Sequence, residues 1–100
     1  LTDYLGGESV AGGKLKEIGT THWNTPNTGA TNETGFTALP GGYRYGNGAF
    51  DDIGYGGYWW SATELSTSSA WNRSMNCNDS DVGRSNYGKE VGFSVRCVRD

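Results

Sequence analysis

Tyr58–Thr63 reads YWWSAT, inside the longer run Gly56–Glu64, GGYWWSATE. Three successive aromatic residues followed by Ser, Ala and Thr, with glycines in front, suit a pleated strand better than a short helix. Alternation places Tyr58 and Trp60 on one face and Trp59 and Ser61 on the other. One face is then expected to build the core and the other to reach solvent or a ligand. Downstream, Ser69–Cys77 carries Trp71, Arg73, Met75 and Cys77 on one face. The final segment sets Val91, Phe93, Val95 and Cys97 against Gly92, Ser94 and Arg96, which is the most regular strand pattern in the chain. Together the three segments predict a small antiparallel sheet with long loops.

Upstream of that sheet the pattern is weaker. Leu1–Leu5 reads as the last turn of a helix closed by Gly6-Gly7. ESVAGGKLKEIG has Val10, Leu15 and Ile18 as its main aliphatics and is broken by Gly12-Gly13, so a short helical turn and a loop are expected. The Thr/Asn/Gly-rich segment from Thr21 to Gly35 reads as surface loop. Pro40-Gly41-Gly42 and Gly46-Asn47-Gly48 signal turns between short strands. The expectation is one α+β domain over residues 1–100 with little helix. It opens mid-pattern, as the C-terminal part of a longer chain would.

Composition narrows the function classes. Only 34% of the residues are hydrophobic, while 17 are Gly and 13% aromatic. Aromatics must therefore supply most of the core, each burying roughly 150–250 Å². A net charge of −3 without a Lys/Arg run argues against nucleic acid as a partner. No stretch approaches the roughly 18 apolar residues of a membrane span, and direct membrane insertion is not expected. The low Lys content and the Thr, Asn and Gly richness lean towards an extracellular or cell-surface setting.

Sequence signatures of catalysis and metal binding are thin. GxxxxGK[ST], HExxH and paired CxxC motifs are absent. Asp79-Ser80-Asp81 lacks the Gly and Glu that a calcium loop would need at their spacings. It reads as a solvated turn, as do Asp51 and Asp52. His22, the only histidine, stands beside Trp23 and reads as a packing or hydrogen-bonding residue. Neither a cofactor, a metal nor a catalytic residue is expected. The only cysteines are Cys77 and Cys97. In a simple hairpin Cys97 would lie roughly 17 Å from the residue opposite Cys77, beyond the roughly 7 Å reach of a disulfide. A less simple topology would leave the bond open.

The segment Trp71–Tyr87, WNRSMNCNDSDVGRSNY, is the most polar long stretch and offers little to bury. It reads either as a solvated loop or as a displayed binding face, and in both cases as the part least committed to folding. Polar hydrogen-bonding residues with Trp71, Arg73 and Tyr87 as anchors match the composition of antibody-like binding surfaces.

Four motifs then carry a resemblance: TGFTALPGGYR (34–44), GGYWWSATE (56–64), AWNRS (70–74) and GFSVRCVRD (92–100). In this order they closely resemble the C-terminal part of the Fibrobacter succinogenes major paralogous domain. The resemblance implies a C-type lectin-like fold of the formylglycine-generating-enzyme branch, in secreted or lipid-anchored bacterial surface proteins. It further implies an upstream piece, with a motif like CPxGWHVP and a helix, holding the usual candidate partner of Cys97. Cys77 departs from the polar or aromatic residue expected at its position. EPN- and QPD-like calcium motifs are absent, and Arg73 stands where a WND motif has its acidic ligand. Calcium-dependent sugar binding is therefore disfavoured.

Related lectin-like domains include the variable proteins of diversity-generating retroelements, which are mutated at adenines. Asn codons AAC and AAT can then yield Ser, Asp, Tyr, Cys, Gly and Arg. From Asn72 to Tyr87, 14 of 16 residues belong to that set or are Asn, with Met75 and Val82 outside it. Surface loops favour many of the same residues, so a diversified face, a fixed polar face and a plain loop all stay open. The leading expectation is a non-enzymatic extracellular domain, on a bacterial surface or a phage particle, that binds a protein or glycan. Its expected binding residues are Trp59, Trp71, Arg73, Asn76, Asn78, Asp79, Asp81, Arg84, Asn86 and Tyr87. The alternatives are a structural module of a cell-envelope or phage fibre protein and an enzyme of the formylglycine-generating branch.

Overall fold

A computed structural model describes residues 1–98. One helix, α1 (Glu8–Leu15), precedes five strands: β1 (Tyr43–Arg44), β2 (Phe50–Asp51), β3 (Gly56–Glu64), β4 (Ser69–Asn76) and β5 (Gly83–Gly88). β3, β4 and β5 form an antiparallel three-stranded sheet with β4 in the centre, and β1 pairs antiparallel with β2. The class is thus α+β with little helix. Among the described residues no helix is long and apolar enough to cross a membrane.

β3 runs through the aromatic stretch as its alternation required. It pairs with β4 from Gly56↔Asn76 to Trp60↔Asn72, and an irregularity between Trp60 and Glu64 lets Ser61 Oγ donate to the Trp71 carbonyl at 3.1 Å. Both faces of β3 are occupied by packing, contrary to the expected division into a core face and an open face. Trp59 packs against the buried cluster of Leu5, Ala11, Leu15, Trp23, Ala38, Met75, Cys77 and Val82. Tyr58 and Trp60 meet Phe93 on the opposite face, with ring centroids 5.5 and 4.5 Å away, and Tyr43 and Tyr87 close edge-on around them. Aromatic rings thus replace missing aliphatics on both sides of one strand.

The third strand of the sheet is a correction to the sequence reading. Val91–Cys97 is not a regular strand, despite its alternation. It makes isolated bridges, Arg44 with Gly92 and Trp59 with Ser94. Gly92 exchanges backbone hydrogen bonds with Arg44, whereas Ser94 bonds to Tyr58 and Trp60. A segment whose partners change from one strand to another cannot extend a ladder on either. The end of GFSVRCVRD, Arg99 and Asp100, lies outside the described residues.

The place predicted for that strand is taken by β5, from the polar stretch. Trp71–Tyr87 is therefore a hairpin, and it is not the part least committed to folding. Asn72, Met75, Cys77 and Val82 within it are all buried. Polar composition hid this because only Met75 of β4 and Cys77 just after it need to reach the core cluster.

The helical segment also differs from expectation. Leu1–Leu5 is a set of turns, with Leu5 N–H donating to the Leu1 and Thr2 carbonyls. α1 continues through Gly12 and Gly13 because tertiary contact outweighs their weak propensity. A Cβ at Gly12 would overlap the Asp81 carbonyl oxygen, and one at Gly13 the Gly29 carbonyl oxygen. Backbone approaches that close require glycine. Gly13 N–H donates to the Ser80 carbonyl at 3.1 Å and Val82 N–H to the Glu8 carbonyl at 2.8 Å, so the helix holds the β4–β5 turn directly. The Thr21–Gly35 loop is anchored too. Its Trp23 is buried and donates Nε1–H to the Ala38 carbonyl at 2.9 Å, and Asn27 Nδ2 donates to the Glu17 and Gly19 carbonyls.

Candidate functional site

The register of the central sheet decides which of the expected binding residues meet. Trp59 lies opposite Arg73, and Arg73 opposite Arg84, so one row crosses all three strands. Trp71 lies opposite Asn86 two residues along, on the same face. Five of the ten expected residues therefore share one sheet face: Trp59, Trp71, Arg73, Arg84 and Asn86. Trp59 is its inner end, half buried against the core. Arg84 and Asn86 are its exposed end.

Two contacts order this face. The Arg84 guanidinium lies 3.8 Å from the centroid of the Trp71 ring, a cation–π arrangement worth roughly 0.5–1 kcal/mol at an exposed site. Arg73 Nη1 donates to Glu8 Oε2 at 3.0 Å, tying β4 to the first turn of α1. Next to the row lies an open groove of about 740 Å³, lined among others by Trp59, Arg73, Met75, Val82, Val95 and Arg96. Arg96 is already engaged, stacked 4.0 Å from the Phe36 ring centroid and donating to the Phe36 carbonyl at 3.0 Å.

The other expected residues lie elsewhere. Tyr87 faces the opposite side, edge-on to Phe93 at 5.6 Å. Its neighbour across the strand, Ala70, confirms that it sits out of phase with Asn86. Asn76 at the end of β4 and Asn78, Asp79 and Asp81 in the turn that follows bond largely to one another. Asn78 N–H donates to Asn76 Oδ1 at 2.7 Å, Asp81 N–H to Asp79 Oδ1 at 3.0 Å, and Asn76 Nδ2 to Asp79 Oδ2 at 3.3 Å. Short polar side chains that bond to backbone two residues away stabilise the turn itself.

Beneath the turn lies Lys16, which is fully buried. Its Nζ donates to the carbonyls of Thr28, Asn76 and Asp79 at 2.8–2.9 Å, and the ammonium lies 5.4 Å from the Trp23 ring centroid. Burial pulls its pKa below the usual lysine value, against the opposing fields of Asp79 and Cys77. Three donors meeting three carbonyls mark a structural clamp.

Sequence reasoning missed one residue that orders the face and one buried polar residue behind it. Glu8 has no local signal pointing to Arg73, which is 65 positions away. Asn72 is buried in the central strand, and neither amide atom has a partner among the described residues. In the register it lies between Trp60 and Ser85, on the side of the aromatic cluster.

Cys77 is buried, Cys97 is exposed, and both are free. His22 is exposed and its Nδ1 lies 2.9 Å from Glu17 Oε1. No group of three His, Cys, Asp or Glu side chains converges among the described residues. The Tyr58 phenol is held above its usual pKa by burial and by its 2.7 Å hydrogen bond to Asp52.

The family model described as the Fibrobacter succinogenes major domain matches residues 1–99. The chain belongs to that family. No curated protein and no solved structure gave a significant match.

Proposed function

We propose that this member of the Fibrobacter succinogenes major domain family is a non-enzymatic, extracellular ligand-binding domain with a C-type lectin-like fold. Its binding face is the β4–β5 side carrying Trp71, Arg73, Arg84 and Asn86, with Trp59 and the groove behind it. The observation that carries this reading is the Trp59–Arg73–Arg84 row beside the Trp71–Asn86 pair. A large aromatic ring, a guanidinium and an amide on neighbouring strands supply area and hydrogen-bonding capacity at low ordering cost. The partner class is a protein or glycan met at a bacterial surface or on a phage particle. Arg84, Ser85 and Asn86 are exposed, so those positions can change identity without disturbing the core. That fits the diversified-face version of this reading.

The test is a glycan and peptide array probed with the wild-type domain and with Trp71→Ala and Arg84→Ala variants. Binding lost in both variants, with melting temperatures kept, supports the assignment. Equal binding by all three proteins overturns it.

A structural-module reading is favoured by one observation. The groove wall at Val95, Cys97 and Val98 is exposed and mostly apolar, a surface suited to another polypeptide segment. Sedimentation of the domain across a concentration series separates the two readings, since a self-assembling module does not stay monomeric.

A further inference from the structure

We infer that the Arg84–Trp71 site is a receptor for a carboxylate group carried beside an apolar or ring face. This inference rests on the ligand-binding reading and names its chemical class. The first observation is the direct register of Arg73 with Arg84. Side chains directly opposite on antiparallel strands have Cβ atoms about 4.5–5.5 Å apart, and like charges placed so repel. A chain of net charge −3 thus sets two guanidinium groups opposite each other on neighbouring strands.

The two arginines are treated differently. Arg73 is paired with Glu8 at 3.0 Å, an exposed bridge that offsets its charge only in part. Arg84 is exposed and makes no salt bridge or hydrogen bond to another side chain among the described residues; its contact is the Trp71 ring, 3.8 Å away. Its place over the ring holds the guanidinium on one side, and its N–H groups have no hydrogen-bond partner among the described residues. Those groups are the part that takes a carboxylate through two parallel hydrogen bonds. An anion held there also relieves the repulsion from Arg73, a gain that a neutral ligand does not bring. The Trp71 ring and Asn86 lie alongside to receive the remainder of the ligand.

The inference is tested by nuclear magnetic resonance titration of the folded domain, following the Trp71 indole and Arg84 side-chain N–H signals. Glucuronate, Nα-acetylglutamate and glucose are the probes. Saturable shifts at both side chains with glucuronate or acetylglutamate, at least about tenfold tighter than with glucose, are expected. The stronger of the two acids identifies a sugar or a peptide source. Arg84→Gln is expected to abolish the shifts without moving the melting temperature. Glu8→Gln, which frees the second guanidinium, is expected to tighten carboxylate binding, a gain that misfolding cannot produce. No carboxylate-dependent shift, or shifts unchanged in Arg84→Gln, overturns the inference. Glucose binding as well as glucuronate at this face also overturns it, while leaving the broader ligand-binding reading intact.

Discussion

β4 and β5 come from the same polar stretch, yet they do opposite work. β4 lies between two neighbours, buries Asn72 and Met75, and leads into buried Cys77. β5 has one neighbour, and Arg84, Ser85, Asn86 and Tyr87 are all exposed. Residue type alone does not separate them, because both are rich in Asn, Ser and Arg. Position in the sheet does: a central strand has both edges paired and side chains on both faces covered, whereas an edge strand can leave its side chains free.

The sharpest way to break this contrast is to loosen the turn between the strands. Gly12→Ala places a Cβ against the Asp81 carbonyl, where backbone must move. The expected loss is about 3 kcal/mol or more, read from urea unfolding. Met75→Ala removes a β4 side chain from the core and is expected to cost about 2–3 kcal/mol. The lower end of the usual range applies because Met75 also borders the groove, where neighbours can relax. A loss below half a kilocalorie would deny β4 its core role.

Lys16→Met leaves three carbonyls without their donor and should cost about 2 kcal/mol or more. Its pH dependence gives a second readout. Burial lowers the folded-state pKa below 10.5, so between the two values the unfolded chain holds the extra proton and wild-type stability rises with pH. Lys16→Met should lose that rise. Tyr58 acts with the opposite sign, because its folded-state pKa is raised above 10.0 and stability falls as the unfolded phenol ionises. Measuring both proteins in a Tyr58→Phe background isolates the lysine contribution.

Asn72→Leu tests the unpartnered amide at the centre of β4. An apolar residue of similar size should be neutral or stabilise by up to about 1 kcal/mol, whereas a large loss would reveal a partner for the amide. The smallest effect belongs to β5, where Asn86→Ala should change stability by no more than about 0.5 kcal/mol. Thermal melts of these two variants set the limits of the contrast between the strands.

The aromatic run at Tyr58–Thr63 was legible as a strand because its neighbours alternate locally. The four family motifs were legible too, and they identified the family. Val91–Cys97 misled because alternation reports which side chains share a face, not whether one partner strand accompanies them all. Gly12-Gly13 misled in the other direction: weak helix propensity concealed a requirement for close backbone approach at Ser80 and Asp81. Of the candidate face, Trp59, Trp71, Arg73, Arg84 and Asn86 were legible as residue types, and only the register showed that they meet. Asn76, Asn78, Asp79 and Asp81 carried the same polar signal but use it to hold their own turn. The Glu8 contact to Arg73 could not be read from a chain separation of 65 residues.

Lys16 sets a rule for how this domain can change. One ammonium reaches Thr28, Asn76 and Asp79 together, so the number of residues between those positions is fixed by the reach of a single side chain. Substitutions can rewrite the letters of β5, but an insertion or deletion between Asn76 and Asp79 would pull a carbonyl off the lysine. A library built on this scaffold should therefore randomise identity at Arg84, Ser85 and Asn86 and keep loop length constant. Length variation belongs instead at the exposed Leu65–Ser68 turn on the far side of the sheet hairpin.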